Sequence, residues 1–297
     1  MYTLHKIAAV LLITLQVPHC RPQTDGQLPL LEAYVVTELD EQVPETSALL
    51  YFDQSYWTIN DSGNSNILYR LDPKNGRVTQ RFTIANAKNR DWEELAEDDD
   101  NIYIADIGDN AHVRKEKQVY IISKSQLRWS KSDTTISAKI IRFSYPAQPK
   151  GSRRYNAEAI IAVQGRLHIF TKKATGSLHF TVPAKEGFHR ATFMEAVPTK
   201  GLVTGAVADG RNKRIVMVGY NRTHDRLLWH FPVNSDMRLS TADVQAFSLG
   251  AADKTSQVEG VCLGPDDQLI FSNENYRGVK QSLWSLGKIP PIENMTR

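Results

Sequence analysis

The sequence predicts an all-β fold, a five-bladed β-propeller whose ring is closed by the N-terminal strand joining the last blade. Three observations predict it. One strand pattern recurs five times along the chain, each recurrence opens on small residues, and the last one lacks a fourth strand while an unpartnered strand precedes the first.

The first strands read Glu45-Thr46-Ser47-Ala48-Leu49, Trp92-Glu93-Glu94-Leu95-Ala96, Asn156-Ala157-Glu158-Ala159-Ile160, Thr204-Gly205-Ala206-Val207 and Gln257-Val258-Glu259-Gly260-Val261. Small residues suit an innermost strand, where the blades crowd together around a channel. β-branched and aromatic second strands follow at 56–60, 102–105, 167–170, 215–218 and 269–272. Polar turns such as Glu97 to Asn101, Ala208 to Asn212 and Gly264 to Asp267 precede several of them. Third strands are expected at 67–71, 118–123, 177–182, 226–231 and 281–286, and fourth strands at 78–84, 139–145, 191–197 and 244–249. The fifth repeat has no fourth strand. The alternating segment 32–39 supplies it, which joins the two ends of the chain and leaves no sheet edge open at the closure.

Composition narrows the class. The chain has 297 residues, 41% hydrophobic and 23% charged, which fits a globular domain. A net charge of +3, with no basic stripe, argues against a nucleic-acid polymer as partner. His5 and Lys6 precede the apolar run 7–17, the layout of a secretory signal ending near residue 20, so the chain is expected to be exported. The destination is extracellular, periplasmic or anchored to the cell envelope. Cys20 fits a lipoprotein-type anchor, and a lipid there is the one membrane attachment the sequence suggests. Residues 21–29 read as a linker, 30–288 as one propeller and 289–297 as a tail. Cys262, the other cysteine, lies within an apolar strand and reads as a small buried hydrophobe.

Loops entering the first strand and leaving the second meet on one face of a propeller. Asn60, Asp61 and Asn64 fall there, with Asp106, Asp109, Asn110, Lys172, Lys173, Tyr220, Asn221, His224, Asn273, Glu274, Tyr276 and Arg277. Aligned first strands place Ser47, Glu94, Glu158, Gly205 or its neighbour Thr204, and Glu259 at one level of the ring. Carboxylates so gathered repel one another, and a hard cation resolves the conflict. Ca²⁺, which takes about six to eight oxygen ligands, fits Ser47, Glu94, Glu158, Thr204 and Glu259 better than zinc, for which no His or Cys stands at matching positions. The alternative is that these glutamates bond backbone amides or Lys172, Arg153 and Arg154, and only tie the blades together. Asp98, Asp99 and Asp100 fall in a hairpin on the opposite face and read as a solvated turn.

The phrases Asp91-Trp92-Glu93-Glu94-Leu95-Ala96, Ile104-Ala105-Asp106-Ile107-Gly108-Asp109-Asn110 and Asn156-Ala157-Glu158-Ala159-Ile160 resemble a widespread group of exported bacterial propellers without an assigned activity. More distantly, the layout is similar to the calcium-activated nucleotidases, or apyrases, five-bladed propellers with a central Ca²⁺ ringed by Ser and Glu. Ser47, Glu94, Glu158 and Glu259 are similar to that ring, while Gly205 departs from the serine expected fourth unless Thr204 replaces it. Ser62 replaces the phosphate-binding arginine of the family's Asp-Asp-Arg-Thr-Gly loop, and Gly108-Asp109-Asn110-Ala111 replaces its Gly-Lys-Glu-Trp segment.

Two functions follow as expectations. The first is a ligand-binding or scaffold propeller with a central Ca²⁺, taking a small-molecule or anionic ligand at the channel mouth through Asp109, Asn110, Arg153, Arg154, Lys172, Tyr220, Asn273 and Arg277. The second is a calcium-dependent hydrolase of phosphoesters or nucleotides, with Asp61 or Asp106 activating water.

Overall fold

The computed structural model describes residues 28–148, 155–251 and 256–287. The expected signal segment with Cys20, nearly all of the linker, the tail, and Arg153 and Arg154 lie outside the described residues.

Blade 1 is built from β2 (Leu50–Phe52), β3 (Ser55–Thr58), β4 (Ile67–Leu71) and β5 (Val78–Ile84). In blade 2 stand β6 (Trp92–Glu97), β7 (Asn101–Asp106), β8 (Lys117–Ser123) and β10 (Lys139–Ser144). Blade 3 holds β11 (Ala157–Val163), β12 (Arg166–Thr171), β13 (Ser177–Pro183) and β15 (Thr192–Val197). Blade 4 holds β16 (Leu202–Asp209), β17 (Arg214–Tyr220), β18 (Asp225–Pro232) and β19 (Gln245–Ala251). Blade 5 takes β20 (Val258–Leu263), β21 (Leu269–Asn273) and β22 (Ser282–Ser285) from the end of the chain, and β1 (Tyr34–Glu38) from its beginning. Pairing of Tyr34 with Ser285 and Glu38 with Ser282 closes the ring as expected. The inner strands touch in the order β2, β6, β11, β16, β20 and back to β2.

Both faces of each sheet are covered, so the inner and middle strands are apolar nearly throughout rather than alternating. In β17, Ile215 and Met217 enter the core shared by blades 3 and 4, while Val216 and Val218 enter the core shared by blades 4 and 5. Five such cores, one per blade interface, account for the buried apolar residues, and Trp57, Trp92 and Trp229 are the largest side chains sealed in them. Burial at roughly 25 cal/mol per Å² makes these interfaces the main source of stability.

Two strands were not expected from the sequence. β9 (Thr134–Ile136) leaves blade 2 and adds in parallel to β5 of blade 1, and β14 (Gly187–Arg190) leaves blade 3 and adds in parallel to β10 of blade 2. The same clasp recurs without a regular strand elsewhere. Leu239 and Arg238, between the third and fourth strands of blade 4, bond Glu195 Oε1 and the Met194 carbonyl on the outer strand of blade 3. Residues 29–31, ahead of β1, pair with Ser248 of blade 4. Each clasp gives an outer strand partners for groups that would otherwise form an open edge.

Candidate cation site at the channel mouth

Every inner strand is irregular at its entry. The pairing shifts between Trp92 and Glu94, Ala157 and Ala159, Val203 and Gly205, and Val258 and Val261. A bulge leaves residues outside the ladder, here Glu93, Glu158 and Thr204 singly and Glu259 together with Gly260. In blade 1, Thr46 bridges Asn60, which puts Ser47 at the same level.

The ring therefore reads Ser47, Glu93, Glu158, Thr204 and Glu259, a correction to the expected Glu94. Glu94 pairs with Ala105, one step further along the strand. It is fully buried, and its two oxygens accept from the Leu95 amide at 3.0 Å and the Ala206 amide of blade 4 at 3.2 Å. This carboxylate is a tie across the channel. Gly205 permits it, since a Cβ there would lie 2.4 Å from the Glu259 carbonyl oxygen and 3.1 Å from Glu94 Oε2.

Ring members divide by chemistry. Ser47 Oγ donates to the Trp92 carbonyl at 3.0 Å and Thr204 Oγ1 to the Val258 carbonyl at 2.7 Å, so each hydroxyl ties its blade to the next. Glu158 pairs with Lys172 Nζ at 2.5 Å, and Asn156 Nδ2 donates to its other oxygen at 3.3 Å. The alternative of paired glutamates thus describes Glu94 and Glu158. Lys172 is mostly buried, with its ammonium 5.3 Å from the centre of the Tyr220 ring. Burial opposes its charge, but Glu158 and Glu259 hold its pKa well above the ordinary lysine range.

Glu93 is different. Its carboxylate meets those of Asp61, from the exit loop of blade 1, and Asp91, from the entry to blade 2, with ligand oxygens within 4.8 Å of one another. None of the three forms an ion pair among the described residues. Burial pushes the Glu93 carboxyl well up, and Glu158, Asp61 and Asp91 push it further. Burial likewise raises Asp61 and Asp91. Glu259 is raised by burial and by Glu274 and Glu158, against Lys172. Glu274, at the rim, is pushed to about 7 by burial and then by Asp61 and Glu45. Carboxylates so gathered repel one another unless they hold protons or a cation.

The loop after β7 supports the cluster from behind. A Cβ on Gly108 would fall 2.0 Å from Glu93 Oε1 and 2.4 Å from Asp91 Cγ, so only glycine lets these carboxylates lie against the backbone. The Gly108 carbonyl is held by Arg114 Nη1 at 2.8 Å and Lys117 Nζ at 3.1 Å. Asp109 caps this loop, accepting from the Val113 and Arg114 amides at 2.8 and 3.0 Å, and pairs with buried Lys117 at 3.1 Å.

Several expected site residues have other duties. Asp106 is fully buried, 2.8 Å from Arg114 Nη1, and accepts from the Asp91 amide at 3.2 Å, which withdraws it as a base that could meet substrate. Asn110 accepts from Asn156 Nδ2 at 3.0 Å and links blades 2 and 3. Asn273 is fully buried, bonded to the Glu274 and Lys280 carbonyls and to Trp284 Nε1. With Asp109 these leave the ligand set. Arg277 is exposed, its guanidinium 5.1 Å from the Tyr276 ring. Asp61, Lys172 and Tyr220 remain at the mouth, joined by Asp91 and Glu93, which the sequence reading did not select.

No family model matches the chain, and no curated protein matches it. Solved structures that superpose on it include the PQQ-bound aldose sugar dehydrogenase of Streptomyces coelicolor, at 14% identity over 85% of this chain and 97% of that one, with a TM-score of 0.46. Glutaminyl cyclase of Myxococcus xanthus gives 10% identity over 86% and 95%, with a TM-score of 0.48. Likeness at this level says nothing of the chemistry at the mouth.

Proposed function

We propose that this is an exported cation-binding propeller in which Asp61, Asp91 and Glu93 hold a divalent ion, calcium by donor chemistry, at the channel mouth. The observation that carries the reading is the convergence of three carboxylates within 4.8 Å, without an ion-pair partner among the described residues. Oxygen donors of flexible geometry favour Ca²⁺ over zinc. For an exported protein an affinity on the order of 10⁻⁴–10⁻³ M suffices. The ion would neutralise the mouth and join blade 1 to blade 2. It would also offer free coordination positions to an anionic ligand.

The test is a thermal melt of chelator-treated protein with and without Ca²⁺ or Mg²⁺. Calcium at about a hundred times its Kd adds about 2.7 kcal/mol, a rise of roughly 4 °C. Asp91→Asn is expected to lose that rise, and a wild-type melt that ignores calcium ends the reading.

Glu274 favours a second reading, the calcium-dependent phosphoester hydrolase. Burial, Asp61 and Glu45 push its carboxyl up to about 7 in the ion-free protein, so it is protonated more readily than an ordinary glutamate and takes the place proposed for Asp106 as a candidate base. Ser62 and the 108–111 segment depart from the nucleotidase pattern, so phosphomonoesters are screened beside nucleotides. Calcium-dependent turnover that Glu274→Gln abolishes would establish it, and calcium binding without turnover would leave the first reading alone.

A further inference from the structure

Beside the acidic mouth lies a cavity of opposite character. It has a volume of about 270 Å³ and sits between the exit loop of blade 3, at Ala174, and the entry and exit loops of blade 4. Lys200 and Arg222 line it with Tyr220, Asn221 and Thr223. Both cations are exposed, and neither forms an ion pair among the described residues.

The turn carrying Arg222 is closed by its own hydrogen bonds. Asn221 Oδ1 accepts from the Thr223 and Asp225 amides, each at 2.9 Å, and Asn221 Nδ2 donates to Asp225 Oδ2 at 2.9 Å. Asp225 is thereby committed inside the turn, and its carboxyl lies below the ordinary range because Asn221 and Thr223 bond it. The carboxylate nearest in sequence to Arg222 is thus satisfied without it. A guanidinium and an ammonium across one small cavity suit a phosphate- or sulfate-type oxyanion, which Arg can meet with paired N–H donors.

Tyr220 ties the cavity to the mouth. Its ring lines the cavity and also lies against the Lys172 ammonium, which pairs with Glu158. The cavity is smaller than the roughly 300–1,000 Å³ typical of sites that enclose a whole drug-sized ligand, so it takes a head group and leaves the rest outside. A group anchored there lies against Tyr220, and beyond that ring stands the Lys172–Glu158 pair.

We infer that the cavity between blades 3 and 4 is an oxyanion subsite, in which Lys200 and Arg222 hold the anionic group of a compact phosphate or sulfate ester whose remainder extends over Tyr220 to the channel mouth. The anion contact stands independently of the cation reading. Only the extension towards a bound ion rests on that reading.

Titration calorimetry of chelator-treated protein at low salt, with inorganic phosphate, inorganic sulfate, phenyl phosphate and phenyl sulfate as probes, tests it. Wild type is expected to bind an ester at least as tightly as its inorganic anion. Lys200→Met and Arg222→Met are each expected to weaken binding about tenfold, the double variant to abolish it, and added salt to weaken it. Absence of binding, binding undiminished in the double variant, or binding of the inorganic anion with exclusion of its ester would overturn the subsite. Repeating the ester titration with calcium separates the two readings. Affinity is expected to rise in wild type and not in Asp91→Asn, and an ester that binds without responding to calcium would remove the link to the ion while leaving the subsite standing.

Discussion

Glu93 and Glu94 adjoin in the chain and do opposite work. Glu93 joins a set of repelling carboxylates, whereas both oxygens of Glu94 accept from backbone amides. Glu93→Gln is therefore expected to leave the ion-free protein at least as stable and to abolish most of the calcium-induced rise in Tm. Glu94→Gln turns an NH₂ group towards an amide N–H, costs about 1–3 kcal/mol, and leaves the calcium response in place. Melts of the two variants check the assignment, and identical behaviour would contradict it. The pH dependence follows from the raised carboxyls. Glu274, with a folded pKa near 7, favours the fold below its unfolded value near 4.5, and that contribution is lost as pH rises through 7. Calcium competes with protons on the raised carboxyls of Glu93, Asp61 and Asp91, so its affinity is expected to fall as pH drops, with proton release on binding, measurable by calorimetry in two buffers. Four of the five ring positions were legible in the sequence because small or acidic residues stand out in an innermost strand. The fifth slipped by one because two glutamates adjoin and the bulge that selects between them belongs to the strand pairing. The usable signal was the polar residue two places earlier, Asp91, Asn156 and Gln257 ahead of Glu93, Glu158 and Glu259.

At the scale of elements, the segment between β7 and β8 shows how a site is held without touching its ligand. Asp106 with Arg114 and Asp109 with Lys117 form two buried pairs, and both cations bond the Gly108 carbonyl beneath the acidic cluster. Removing one member of such a pair leaves the other charge buried and uncompensated. Lys117→Met is expected to cost about 3–5 kcal/mol and to weaken calcium binding through displacement of Gly108, whereas Lys117→Met with Asp109→Leu recovers part of the stability. Chemical denaturation of the three proteins checks both statements, and a single variant as stable as wild type would show that the pair holds nothing. The sequence marked Asp106 and Asp109 as channel-facing acids, since turn chemistry did not require them. Their cationic partners lie further along the same segment, where spacing alone does not reveal a return to the loop. The clasps β9 and β14 were hidden for a similar reason. Each is a short polar-flanked segment whose strand character comes from the neighbouring blade's edge.

For the whole molecule, the acidic mouth is assembled only when the ring closes. Asp61, Asp91 and Glu93 come from blades 1 and 2, and Glu259 and Glu274 from blade 5, whose outer strand β1 precedes blade 1 in the chain. Beyond the ladder, the closure is held by the Leu39 amide on the Gln281 carbonyl at 2.9 Å and by Gln281 Nε2 on the Asp40 carbonyl at 3.0 Å. A chain beginning at Glu41 would lack β1, expose the edge of β22 and uncover part of the core shared by blades 5 and 1. Such a chain is expected to unfold at lower temperature, to associate through the free edge, and to lose its calcium response because blade 1, which carries Asp61, loses part of the core it shares with blade 5. Moving residues 28–40 to follow residue 287 through a short turn restores β1 as an ordinary fourth strand of blade 5 and opens the chain between blades 5 and 1. If the ring needs the strand but not the order of the chain, the permuted protein recovers both melting temperature and calcium response, as measured by melts and sedimentation alongside the truncated form. If permutation fails while truncation is tolerated, β1 is an accessory edge, and closure rests on the apolar contact between blades 5 and 1 instead.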